Sequence, residues 1–139
     1  MRDRIRAYSH AGTPEITSQP VELGFTGVKT GGYYANENID DRKVPAKLRD
    51  HISAIRQAVG PSIDIMIDNH GRSRPSLAIR QIRAVEEFGL LFFEEPVPPD
   101  NLNALAELRK ETMGVDLATG ERLFTRWGMK TCWSVNWSM

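Results

Sequence analysis

The sequence predicts an α/β fold built on a parallel β-sheet. Short runs typical of strands alternate with longer stretches whose apolar residues recur at helical spacing. Glycine or proline stands at most of the junctions between these segments. Such alternation forms a parallel sheet with right-handed crossovers, in which the carboxyl ends of all strands lie at one edge.

Five segments have the composition of strands. Residues 5–8 and 25–29 are short β-prone runs, and residues 63–68 alternate as a half-buried strand does. Residues 90–93 are continuously apolar, which is typical of a strand covered on both faces. Residues 115–119 are a weaker fifth candidate.

Four helices are predicted between these strands. The first, over residues 14–23, is short and contains a proline. An apolar stripe predicts the second helix between Pro45 and Gly60, and another predicts the third over residues 75–88. The fourth begins at Asp100, whose carboxylate is expected to act as the N-cap.

Two architectures fit this order of elements: a doubly wound open sheet and a β/α barrel. A complete barrel needs eight βα units and about 250 residues. The chain has 139 residues and five predicted strands, roughly five-eighths of a barrel. The pattern alone leaves both architectures open.

Composition excludes several classes of function. Eighteen Lys and Arg balance eighteen Asp and Glu, so no basic surface for nucleic acid or an anionic membrane is expected. No apolar run approaches the roughly 18 residues of a membrane helix, and no signal sequence is recognisable at the N-terminus. A single cysteine, Cys132, excludes an internal disulfide and a cysteine-based zinc site. The expectation is a cytoplasmic protein.

Three carboxylates follow three successive predicted strands. Asp68, Glu94 and Glu121 are separated by 26 and 27 residues, one βα unit each. They should therefore meet at the same rim of the sheet, where their negative charges repel unless a hard cation neutralises them. Mg²⁺ prefers such oxygen ligands. The alternative is that each acidic residue merely caps the following helix, but the common register favours the magnesium site.

Four further side chains are candidates for the same rim. His70, two residues after Asp68, has a side chain that exchanges a proton near neutral pH. Lys29, at the end of the second strand, can pair with a substrate carboxylate or, when desolvated, act as a base. Arg72 and Arg122 flank the site and can hold a carboxylate through two hydrogen bonds. His51, by contrast, is expected on the outer side of its helix.

Three sequence motifs contain the strand-end carboxylates: residues 68–72 read DNHGR, residues 93–97 read FEEPV and residues 119–124 read TGERLF. These motifs resemble the mandelate racemase branch of the enolase superfamily. They look closest to acid-sugar dehydratases of the galactonate type, and the similarity runs from residue 2 to residue 129. The resemblance implies a β/α barrel of the TIM type.

The resemblance also implies a chemistry and a set of roles. Asp68, Glu94 and Glu121 match the Mg²⁺ ligands, and His70 matches the acid that protonates the departing hydroxyl. The implied enzyme is a hydro-lyase that removes the proton α to the carboxylate of a small sugar acid. Mg²⁺ stabilises the resulting enediolate, and loss of the β-hydroxyl as water gives a 2-keto-3-deoxy acid.

The family pattern includes segments that this chain is expected to lack. These are an N-terminal capping domain and the last three barrel strands, one of which carries the general base. Gly31 also replaces the second lysine that many relatives carry near Lys29. Residues 1–129 are therefore expected to form a partial barrel, inactive alone, that self-associates through open strand edges. Two alternatives are a non-catalytic partial barrel that acts through binding and an open-sheet, Mg²⁺-binding regulatory domain.

Residues 130–139 are expected to be an atypical tail, because they follow neither the helical nor the strand period. One codon choice for residues 131–139 reads in a shifted frame as VLERQLVD, which resembles the amphipathic helix expected there. The hypothesis is a reading frame that shifts shortly after Met129.

Overall fold

The computed structural model describes residues 3–33 and 40–134. Within them, five parallel strands form one sheet: β1 (Ser9–His10), β2 (Gly27–Gly31), β3 (Asp64–Asp68), β4 (Leu90–Glu94) and β5 (Leu117–Ala118). The helices are α1 (Pro14–Glu22), α2 (Val44–Val59), α3 (Pro75–Val85), α4 (Leu102–Glu111) and α5 (Thr125–Ser134). A single 3₁₀ turn, Glu86–Phe88, extends α3 up to Gly89.

The strand order identifies the architecture. Strands that follow one another in the chain are neighbours in the sheet, in the order β1-β2-β3-β4-β5. A doubly wound sheet reverses its strand order at a switch point, and these strands have no reversal. Consecutive helices α1 to α4 also pack against each other in sequence. The prediction of an α/β fold that forms part of a β/α barrel is confirmed, and the open doubly wound alternative is wrong.

The hydrophobic core lies between the sheet and its layer of helices. On the strands, the side chains that face the helices are fully buried: Val28, Ile65, Ile67 and Phe93. Their partners on the helices are the apolar stripes that the sequence predicted, among them Leu48, Ile52, Ile55 and Ile82. Because side chains alternate along a strand, the intervening residues face the inner side of the sheet.

A β-bulge in β4 brings two acidic residues side by side. Ile65 pairs with Leu90 but Met66 pairs with Phe92, so Leu91 is an extra residue on its strand. Beyond the bulge, the register places Glu94 directly opposite Asp68. Leu91 is 42% exposed, so the prediction that this strand is covered on both faces is wrong at the bulge.

The first strand lies later than predicted. β1 is Ser9–His10, whereas Ile5 in the predicted strand is 93% exposed. Arg6 in that segment donates hydrogen bonds to the side chain and carbonyl of Thr26 and forms an ion pair with Asp64, in place of strand pairing.

Two further predictions about helices are wrong. The N-cap of α4 is Asn101 and not Asp100, because Asn101 Oδ1 accepts a hydrogen bond from the Ala104 N–H at 3.1 Å. His51 is not on the outer side of α2. It is half-buried, with Nε2 3.0 Å from Thr30 Oγ1 and its ring against the Tyr33 ring.

The predicted tail is helical where the structure describes it. Helix α5 runs across Met129 and ends at Ser134, while residues 135–139 lie outside the described residues. The division of the chain at residue 129 and the frame-shift hypothesis remain predictions. Among the described residues, no helix is both long enough and apolar enough to cross a membrane.

Candidate metal centre

Three carboxylates converge at the carboxyl edge of the sheet. Asp68 and Glu94 end β3 and β4, and Glu121 lies in the turn after β5. One oxygen from each carboxylate lies within 4.8 Å of the other two. Asp68 is buried, Glu94 is half-buried and Glu121 is exposed, so the cluster is open to solvent on the side of β5. The three carboxylates, spaced one βα unit apart in the sequence, are therefore neighbours in the structure, as expected.

A positive charge already lies between two of these carboxylates. Lys29 on β2 places its Nζ 3.0 Å from Asp68 Oδ2 and 2.8 Å from Glu94 Oε2. Partial burial disfavours the charged ammonium, but the hydrogen bonds to Glu94 and Asp68 outweigh it and raise the pKa of Lys29. The lysine is thus held in its protonated form, and the site accommodates a cation.

His70 lies beside the cluster on a strained turn. Its backbone N–H donates a 3.1 Å hydrogen bond to Asp68 Oδ1, and its imidazole Nε2 lies 3.5 Å from Asp68 Oδ2. The residue has a positive φ of 53°, a conformation that is uncommon outside glycine. Its side chain is 45% exposed, so the imidazole contacts the carboxylate while remaining accessible from solvent.

The two predicted arginines lie in different surroundings. Arg122 donates from Nε to Glu95 Oε2 and from Nη2 to the carbonyl of His70, both at 3.1 Å. Arg72 is exposed, and its backbone N–H donates to the carbonyl of Asn69. Arg122 therefore braces the turn that carries His70.

Glu95 is a residue of this site that the sequence analysis missed. Its side chain is fully buried, and among the described residues its Oε1 is the one buried side-chain oxygen without a hydrogen-bond partner. Burial raises the pKa of Glu95, although the Arg122 guanidinium acts in the opposite direction. The sequence feature that could have identified Glu95 is its position as the second glutamate of the Glu-Glu-Pro motif, directly after a strand-end carboxylate.

The five strands form part of a β/α barrel, and a carboxylate follows or ends each of three consecutive strands. A sequence model described as "Enolase C-terminal domain-like" matches residues 15–134. The chain belongs to this family.

Individual relatives agree with the family. The chain is 34% identical over 136 residues to the D-galactonate dehydratase of Xanthomonas euvesicatoria pv. vesicatoria (strain 85-10), an alignment covering 94% of this chain and 35% of that protein. A mandelate racemase/muconate lactonizing enzyme from Jannaschia sp. CCS1 superposes with a TM-score of 0.83 at 31% identity, over 95% of this chain and 39% of that one. The 3,6-anhydro-D-galactonate cycloisomerase of Zobellia galactanivorans superposes with a TM-score of 0.78 at 26% identity, over 92% of this chain and 35% of that one. The chain spans about a third of the length of the curated relatives that it matches.

Proposed function

We propose that this chain forms the metal-binding part of a Mg²⁺-dependent sugar-acid dehydratase, a hydro-lyase. The observation that carries the proposal is the convergence of Asp68, Glu94 and Glu121 within 4.8 Å at the rim of the sheet. A relative named D-galactonate dehydratase supports the substrate class.

The residues present fit a hard divalent cation. All three donors are carboxylate oxygens, the ligand type that Mg²⁺ prefers, and the Lys29 ammonium already lies against two of them. When bound, such a cation would stabilise the negative charge that develops on a substrate carboxylate as its α-proton is lost.

The remaining rim residues have assignable roles. His70 is the proposed acid for the departing hydroxyl, because its half-exposed imidazole lies next to Asp68 and histidine is the side chain most often used as a general acid. The raised pKa of Lys29 opposes a role as base while the amine contacts both carboxylates. Pairing of Lys29 with a substrate carboxylate agrees better with this geometry. Arg122 donates to the carbonyl of His70 and is proposed to keep the turn that carries His70 in place. The exposed half of the Arg122 side chain is proposed to bind the substrate.

A chimera tests the proposal, since the chain matches only about a third of its curated relatives. In the Xanthomonas euvesicatoria enzyme, the aligned segment is replaced by this chain, and dehydration of galactonate and gluconate is measured with Mg²⁺. The chimera should turn over a sugar acid, and His70→Asn should lower kcat by about 10²–10⁴-fold, the usual contribution of a general acid. Glu107→Gln, on the exposed face of α4, is the matched control and should leave kcat unchanged.

The chimera contradicts the proposal if it folds and binds Mg²⁺ yet dehydrates neither acid. The 139-residue chain by itself is expected to give no dehydration above a Mg²⁺ blank. Turnover by the chain alone, lost on Asp68→Asn, would show that fewer elements are needed than proposed.

A further inference from the structure

A closed network of three buried polar side chains lies beneath the carboxylate rim. Asn69, Ser73 and Gln81 are 1%, 2% and 0% exposed. Asn69 Nδ2 donates to Ser73 Oγ at 3.0 Å, and Ser73 Oγ donates to Gln81 Oε1 at 2.7 Å. Gln81 Nε2 completes the ring with a long 3.5 Å contact to Asn69 Oδ1. The three polar groups therefore satisfy one another in the protein interior.

This network reaches three successive loops at the rim. Gln81 Nε2 also donates to the carbonyl of Tyr33, after β2, and Asn69 Nδ2 donates to the carbonyl of Pro96, after β4, at 3.1 Å. Asn69 and Ser73 themselves lie in the loop after β3. Of the three side chains, Gln81 alone belongs to a helix. It connects α3 directly to the loops after β2 and β3 and, through Asn69, to the loop after β4.

Asn69 links the buried network to the carboxylate rim. It stands between Asp68 and His70, and its backbone N–H donates a 3.0 Å hydrogen bond to the carbonyl of Glu94. Gly32 lies so close that a Cβ at that position would be 2.3 Å from Asn69 Oδ1. The side chain of Asn69 therefore has little room to adopt another rotamer.

We propose that Gln81 is a positioning residue that holds the loops after β2, β3 and β4 in register, and through them the carboxylate cluster. The physical reason is cost: a buried amide that loses its partners remains unpaired in a region of low dielectric, so the network holds all three loops or fails as a unit. The part of the inference that concerns the metal rests on the proposed function, whereas the part that concerns the loops does not.

Amide hydrogen exchange tests the loops without any metal. The N–H groups of Gly32, Asn69 and Gly71 donate to the carbonyls of Asp68, Glu94 and Glu95, so each amide reports on one bond between neighbouring loops. Gln81→Met keeps the length of the side chain but removes its donors and its oxygen. We expect all three amides to exchange about tenfold faster or more, relative to the Phe93 amide in the core.

Two controls separate positioning from general loss of stability. Ile82→Val destabilises the same helix at a buried apolar site and should change exchange at the three loop amides no more than at Phe93. Gln57→Met removes an exposed glutamine on α2 and should change nothing. If Gln81→Met does not fold, Ser73→Ala removes two hydrogen bonds of the network but leaves the bond from Gln81 to Tyr33, and it should give the same pattern with a smaller amplitude.

Mg²⁺ titration calorimetry gives the second measurement. Gln81→Met should weaken Mg²⁺ binding about 10- to 100-fold, as removal of an outer support for metal ligands typically does, while Ile82→Val should not. A chain that binds no Mg²⁺ before substitution refutes the proposed metal site, and the exchange experiment still decides the role of Gln81. Exchange that rises equally at loop and core amides in Gln81→Met overturns the positioning role.

Discussion

Lys29 Nζ lies 2.8 Å from Glu94 Oε2, against one of the oxygens proposed to bind a divalent cation. The ammonium also contacts Asp68 at 3.0 Å, so it neutralises part of the charge that would otherwise make the cluster self-repelling. Because a lysine and a metal ion then compete for the same negative charge, the side chain of Lys29 should tune the affinity of the site.

Lys29→Met should increase Mg²⁺ affinity. Removal of one positive charge within a few ångströms of the bound cation eliminates a repulsion of several kcal/mol at intermediate dielectric, so a gain of about tenfold or more is expected. Lys29→Arg retains the charge and is the matched control. Calorimetric titration measures both, and weaker binding by Lys29→Met would contradict the competition.

Two adjacent glycines should respond differently to the same substitution. A Cβ at Gly32 would lie 2.3 Å from Asn69 Oδ1 and 3.0 Å from Asn69 Cα, whereas a Cβ at Gly31 meets nothing within 4 Å. Gly32→Ala should therefore destabilise the fold by about 1–3 kcal/mol, the usual cost of overpacking, and displace the loop after β3. Gly31→Ala should be nearly neutral. Urea denaturation measures both, and equal effects would show that Asn69 moves aside at little cost.

His51 should make stability depend on pH. Burial against β2 lowers the pKa of His51 below its ordinary value of 6.5, so the unfolded chain binds the proton more readily than the folded chain. The free energy of unfolding should therefore fall as the pH drops below about 6.5. His51→Gln should flatten that slope, with His10→Gln, on an exposed residue, as the control. An unchanged slope in His51→Gln would contradict the assignment.

We propose that the 139-residue chain self-associates. Among the described strands, β1 and β5 each pair with one neighbour only, and Tyr8 and Leu91 on the inner face are 52% and 42% exposed. Open edges and apolar surface of this kind recruit other chains. Sedimentation velocity should detect oligomers, and Leu91→Lys should shift the distribution toward monomer. A monodisperse monomer before substitution would contradict the proposal.

The positions of the site residues were predictable because they depend on a period. The repeat of one βα unit placed Asp68, Glu94 and Glu121 at one edge from spacing alone, as the structure has them. The apolar stripe that ends at Gly60 likewise predicted α2 almost to the residue. Both signals follow from regular strand and helix geometry, so neither depends on a particular contact between side chains.

The features that the sequence did not predict depend on particular side-chain contacts and not on a repeating period. Residues 5–8 have strand composition, but Arg6 bonds to Thr26 and Asp64, and strand pairing begins only at Ser9. Likewise, Gln81 is buried because it bonds to the loops after β2 and β3, and its position in a helical pattern gives no sign of those bonds. No local pattern distinguishes a glutamine that faces solvent from one that closes a buried network.

Thermal denaturation with and without Mg²⁺ tests the central claim, that the three strand-end carboxylates hold a divalent cation. The unsubstituted chain should be stabilised by about 2.7 kcal/mol when Mg²⁺ is in hundredfold excess over its Kd. Asp68→Asn, Glu94→Gln and Glu121→Gln should each abolish this gain, while the exposed control Glu107→Gln should keep it. Identical melting of the unsubstituted chain with and without Mg²⁺ would contradict the claim.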